Sequence, residues 1–200
     1  MGVIKEWKIS FDEIDEVVTA NPSLRGFLFG YLNEYMLKKI WFNGDEVSKV
    51  KKYDNHDRKH KGDLFVTYKG VEIFIEAKGL QKKSVGETDD GYVGKFQCDA
   101  SDKRPVALPN GDIIETTCLA VGEFDLLAVG IFEFGKEWRF AFIKNENLPR
   151  TTSSRYTSEQ QKYLLKGTTS ITWPLKPPFE PEPFRLIDEI VKEKRRSRKK

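Results

Sequence analysis

Asp63, Glu76 and Lys78 are the residues whose types and spacing suggest chemistry. Lys69-Gly70 reads as the two-residue turn of a β-hairpin whose arms are residues 63–68 and 71–78. Tyr68 then faces Val71, and stepping outward one pair at a time brings Asp63 directly opposite Glu76. Directly opposed side chains share a face with Cβ atoms roughly 4.5–5.5 Å apart, where two carboxylates repel. A divalent cation would compensate, because Mg²⁺ takes one or two carboxylates together with water and phosphate oxygens. Lys78 lies two residues beyond Glu76, so strand alternation returns it to the same face. Two carboxylates and an ammonium at the open end of a hairpin suit metal-assisted hydrolysis of a phosphodiester. The metal polarises the phosphate and acidifies water, and the ammonium orients the nucleophile or offsets developing charge.

The same three residues could instead end the polar face of a partly exposed strand. Against that, Phe65, Phe74 and Ile75 make both faces of the hairpin apolar, which predicts a central position in a sheet. Charges at the end of a buried hairpin need a reason.

The elements that position them can be read on either side. Ser10-Phe11-Asp12-Glu13 has capping-box spacing ahead of Ile14, Val17 and Val18 and predicts a short helix. Asn21-Pro22-Ser23 ends it and starts a second, from about Leu24 to Ile40, because Pro fits the first helical turn. Leu24, Phe27, Leu28, Tyr31, Leu32, Tyr35 and Met36 recur at helical spacing and are expected to form a broad buried stripe. Gly26, Gly30 and Glu34 lie four apart on one edge of it, so the helix could approach a neighbour closely and present Glu34 at the boundary. Glu34 is therefore a candidate site residue, the alternative being an ordinary solvent-facing Glu.

A strand is predicted over Val47 to Tyr53, followed by a polar loop holding His56 and His60. After the hairpin, Gly79 to Gly111 reads as loops around a short element. Ile113 to Val121 could add a strand, and Phe124 to Phe132 and Trp138 to Ile143 form two more, antiparallel to each other. Ser158 to Leu165 looks helical, Pro174 to Pro183 is an extended connector, and Phe184 to Lys194 is an amphipathic helix.

At this point the pattern Lys61-Gly62-Asp63, twelve residues, Glu76-Ala77-Lys78, preceded by a helix carrying Glu34, resembles the PD-(D/E)xK nuclease superfamily of restriction endonucleases, junction resolvases and recombination nucleases. The resemblance implies that Asp63 and Glu76 bind Mg²⁺ (with Mn²⁺ able to substitute), that Ala77 offers its main-chain carbonyl to the metal, that Lys78 assists the attacking water, and that Glu34 supports the site. It implies DNA as substrate and a homodimer as one way to sever both strands of a duplex. Gly62 departs from the pattern by standing where the name-giving Pro would be. A DNA-binding module without catalysis, or a nuclease acting on branched DNA, single strands or RNA, remains open on the same residues.

The expected architecture is α/β, a central mixed β-sheet of four or five strands flanked by helices, a restriction endonuclease-like core. The helix over Leu24 to Ile40 would lie on one face and the later helices on the other. One domain would span 1–191, with its catalytic core at about 22–145 and a helical extension at 158–191, followed by a basic tail at 192–200.

Composition fits this reading. The 200 residues, 38% hydrophobic and 12% aromatic, can bury one core. The net charge is +3, but residues 192–200 hold seven basic residues and one acidic, a net of +6, so the rest sums to −3. Such a tail suits a phosphate backbone or a solubilising end. Gln81, Lys82 and Lys83, just after the hairpin, and Arg104 are candidates for DNA contact. His56 and His60 are more readily a solvated loop than a metal or general-base pair. Cys98 and Cys118 lack partners at metal-ligand spacing and should be reduced thiols. The absence of a secretory pattern or a bilayer-length apolar run points to a soluble, cytoplasmic protein.

Overall fold

The Ser10 hydroxyl accepts from the backbone N–H of Glu13 at 3.1 Å, and the Glu13 carboxylate accepts from the Ser10 N–H at 2.7 Å. This is the expected capping box, and it starts the second of three N-terminal helices, α1 (Val3–Trp7), α2 (Phe11–Ala20) and α3 (Pro22–Trp41). The structure, a computed structural model, describes residues 2–52 and 62–198. His56, His60 and Lys61 lie outside the described residues.

Among the described residues ten strands follow: β1 (Val47–Lys52), β2 (Leu64–Tyr68), β3 (Val71–Gly79), β4 (Gly86–Thr88), β5 (Gly91–Gln97), β6 (Asp99–Ala107), β7 (Ile113–Cys118), β8 (Leu126–Gly130), β9 (Phe140–Lys144) and β10 (Thr168–Trp173). Two helices lie in the C-terminal part, α4 (Ser158–Gln161) and α5 (Phe184–Ser197). The central sheet is five-stranded in the order β1-β2-β3-β8-β9. Only β3 and β8 run parallel, so the sheet is mixed and β3 is its middle strand.

The β2–β3 register is the one the turn dictates. Lys69 and Gly70 have φ of 49° and 74°, the two positive values a type I′ turn requires. Tyr68 pairs with Val71, and the ladder runs out to Leu64 opposite Ile75.

One face of the sheet packs Val66, Ile73, Ile75 and Phe142 against Leu37 of α3 and against Leu186, Ile187, Ile190 and Val191 of α5. Each of those α5 side chains contributes roughly 1.5–3 kcal/mol through burial. The other face packs Leu127, Val129 and Ile143 on Phe96 of β5 and Ile171 of β10, which belong to a second sheet ordered β10-β5-β4. The expectation of helices on opposite faces is therefore corrected: α3 and α5 share one face, and strands cover the other. β6 and β7 pair as a separate ribbon.

Two further corrections concern α3 and the region after the hairpin. Leu24, Phe27, Leu28, Tyr31, Leu32 and Tyr35 are exposed, and Gly26 and Gly30 meet no neighbour where a Cβ would be. The inward side of the helix carries Asn33 and Leu37, both buried, with Phe29 and Trp41 partly buried at the same four-residue spacing. The stretch 79–111, read as loops, supplies β4, β5 and most of the ribbon. Among the described residues, no helix is long and apolar enough to cross a membrane.

Candidate active site

Gly62 enters the hairpin with φ +70°, and a Cβ there would stand 2.8 Å from the Ile75 carbonyl oxygen. Proline is locked near −65° and cannot take this conformation. Asp63 follows. Its N–H donates at 2.9 Å to the carbonyl of Ile75, the residue that Leu64 already pairs with, so the regular β2–β3 register ends here. The ladder's next acceptor is a side chain, because Asp63 Oδ2 accepts from the Ala77 N–H at 2.8 Å. Asp63 is thus pinned beside the C-terminal end of β3, and the Ala77 carbonyl, which shares a strand edge with its own N–H, faces the same side.

Glu76 sits at the centre of the sheet and is only 8% exposed. Its carboxylate pairs with Lys78 Nζ at 2.7 Å. Burial pushes the Glu76 carboxyl up to about 7, with the Lys78 charge opposing and the Asp63 and Glu123 charges adding. Burial pulls the other way on Lys78, but Glu76 and Asp63 outweigh it and hold the ammonium above its ordinary range. Lys78 therefore keeps its proton at neutral pH in the metal-free protein.

Glu34 arrives from α3, on the helical face. It pairs with Lys52 of β1 at 2.6 Å. Burial raises its carboxyl, the Lys52 hydrogen bond opposes this, and the charges of Asp63 and Lys78 both reach it. The fold thus brings Glu34 into electrostatic range of Asp63 and Lys78, while Glu76 and Lys78 project toward the second sheet. Among the described residues, no group of three or more His, Cys, Asp or Glu side chains is placed to hold a metal ion. Two carboxylates and a main-chain carbonyl are the donors at hand.

The residues expected to contact DNA divide. Lys82 and Lys83 are exposed in a 3-10 turn directly after β3. Gln81 donates to Gln97 Oε1 at 3.2 Å, and the Gln97 amide donates to Asp99 at 3.2 Å. These three line an open cleft together with Lys78 and Ser101. Arg104 is half-buried and paired with Glu123, whose other carboxylate oxygen accepts from the Ala120 N–H. Cys98 and Cys118 are free and buried, and burial pushes the Cys98 thiol up to about 12.

Sequence reasoning missed Asn33. It is 2% exposed, and its side-chain N–H donates to the Lys78 carbonyl at 3.2 Å. The signal was available: an amide at four-residue spacing from Phe29 and Leu37 is a polar residue on an apolar face, which calls for a partner.

No family model matches the chain, and no curated protein matches its sequence. Among solved structures, a bacterial homing endonuclease is similar over 68% of this chain and 86% of its own, at 17% identity and a TM-score of 0.34.

Proposed function

We propose that the chain is a Mg²⁺-dependent endonuclease hydrolysing DNA phosphodiester bonds. The observation that carries the reading is the convergence of Glu76, Lys78 and the pinned Asp63 at the end of a central strand. Burial holds the Glu76 proton toward neutral pH, the Lys78 ammonium opposes this, and the neighbouring Asp63 charge adds to it, so a bound divalent cation would favour both carboxylates. The donor set fits a hard divalent ion: Asp63, Glu76 and the Ala77 carbonyl supply oxygen only, and Mg²⁺ keeps its remaining positions for water and phosphate.

The chemistry a bound Mg²⁺ supplies is charge neutralisation at the phosphate and a lowered pKa of water. The chain's own groups do the rest. Lys78, protonated, donates to the attacking water or to a phosphate oxygen, so its role is orientation and charge and not proton abstraction. Glu34 adds negative potential beside Asp63 and is itself held by Lys52. The cleft lined by Gln81 and Gln97 offers amide donors and acceptors next to Lys78, where a nucleic-acid strand would lie.

Calorimetric titration of Mn²⁺ into the wild type, Glu76→Gln and Asp63→Asn tests the site. Binding by the wild type and its loss in both variants supports the reading. Equal heats in all three proteins remove the metal site and leave a DNA-binding module without catalysis.

A further inference from the structure

We infer that the outward face of α2 and α3 is the contact between two copies of this chain. α3 is apolar on both sides. Phe29, Leu37 and Trp41 face the body, and Leu24, Phe27, Leu28, Leu32 and Tyr35 form a second stripe that the chain leaves exposed, with Phe27 at 72% and Tyr35 at 60%. A helix with apolar stripes on two opposite sides has one more apolar face than the body covers.

α1 and α2 sharpen the point. They are 5 and 10 residues long and contain no buried residue, yet α2 leaves Phe11 78% and Val17 52% exposed. Helices this short are marginal in water and depend on packing an apolar face. Seven large apolar side chains on two adjacent helices are thus left between 37% and 78% exposed, a concentration of apolar surface of the kind that marks an interaction site.

Charge selects the occupant. α2 carries Asp12, Glu13, Asp15 and Glu16 and no basic residue, which repels nucleic acid and an anionic bilayer. α3 ends in Lys38 and Lys39. In a two-fold contact with the α3 helices antiparallel, the basic end of one copy lies beside the acidic α2 of the other, so the face is complementary to itself. The inference stands apart from the hydrolytic reading, because it concerns the far side of α3 and is read by mass.

Sedimentation equilibrium of the full chain tests it. At about 10 μM, above the Kd of a micromolar-or-tighter contact, the wild type is expected at twice the chain mass. Phe27→Asp with Tyr35→Asp is expected at the monomer mass with an unchanged far-UV spectrum, since both side chains are exposed. Ile113→Glu, on the ribbon and 74% exposed, should remain a dimer. A monomeric wild type, a dimer that survives the double substitution, or one dissolved by Ile113→Glu overturns the inference; a monomeric wild type would hand the face to a different protein.

Discussion

The side chain of Asn33 occupies the space above Gly130, where a Cβ would fall 1.7 Å from Asn33 Oδ1. This close approach lets α3 reach across the parallel β3–β8 pair and hold the Lys78 carbonyl at 3.2 Å, one residue before Glu34.

Gly130→Ala should therefore force Asn33 away and break that bond in a buried setting. The expected cost is about 1–3 kcal/mol in urea unfolding, with turnover falling beyond what the lost stability explains because Lys78 and Glu34 lose their common anchor. Unchanged stability would show that Asn33 can relocate freely.

Gly62→Pro should damage this protein. The position needs φ +70° and has the Ile75 carbonyl oxygen 2.8 Å from a Cβ. Loss of about 2 kcal/mol or more is expected, with Gly62→Ala also destabilising. A thermal melt comparing both with wild type checks this, and a neutral Gly62→Pro would mean that the turn is not held as described.

The metal-free protein should lose stability as pH rises through the interval between the ordinary Glu value of 4.5 and the folded value of about 7 for Glu76. The folded carboxyl is raised, so in that window the native state keeps a proton the unfolded chain has released. That stabilisation is complete below the unfolded value and gone above the folded one, a difference on the order of 1–3 kcal/mol. Urea unfolding from pH 4 to 8 should show this slope in the wild type and a flatter one in Glu76→Gln. The proposed metal site needs ionised Glu76, so Mn²⁺ affinity is expected to climb over the same interval.

The basic C-terminus should separate into a structural and a free part. Lys194 Nζ donates to Asp125 Oδ2 and to the Glu72 carbonyl at 2.8 Å, and that same Asp125 oxygen accepts from the Phe74 N–H at 2.8 Å. Lys194→Ala should cost about 1–2 kcal/mol of stability. Arg196→Ala, at an exposed position, should leave stability unchanged and reduce the salt dependence of DNA binding measured by fluorescence anisotropy. The reverse pattern would place the phosphate contacts on the clamped side.

The parts of this fold that sequence conveyed were those fixed locally. Lys69-Gly70 sets the hairpin register through its own backbone preference, and the pairing follows it out to Leu64 opposite Ile75, beyond which Asp63 bonds the Ile75 carbonyl and the Ala77 N–H. The Ser10–Glu13 cap is equally local. What could not be read depends on distant partners. β5 falls in the stretch 79–111 read as loops around a short element; its Gly94 makes room for the Phe134 ring, 3.0 Å from where a Cβ would sit, and the strand's partner is β10, some seventy residues on. α3 misled because its outer stripe is as apolar as its inner one, and only the sheet reveals which side Asn33 and Leu37 bury. The shared face of α3 and α5 follows from tertiary packing that no period in the sequence encodes.

The most direct measurement is cleavage of plasmid, branched DNA and RNA by wild type and Lys78→Ala with Mg²⁺, Mn²⁺ or EDTA. The account predicts metal-dependent cutting of DNA by the wild type, abolished by EDTA and reduced by about 10²-fold or more in Lys78→Ala, whose lost ammonium acts at the reacting phosphate. A wild type that cuts none of these DNA substrates under any metal condition, or a Lys78→Ala variant that cuts DNA as fast as the wild type, would contradict it.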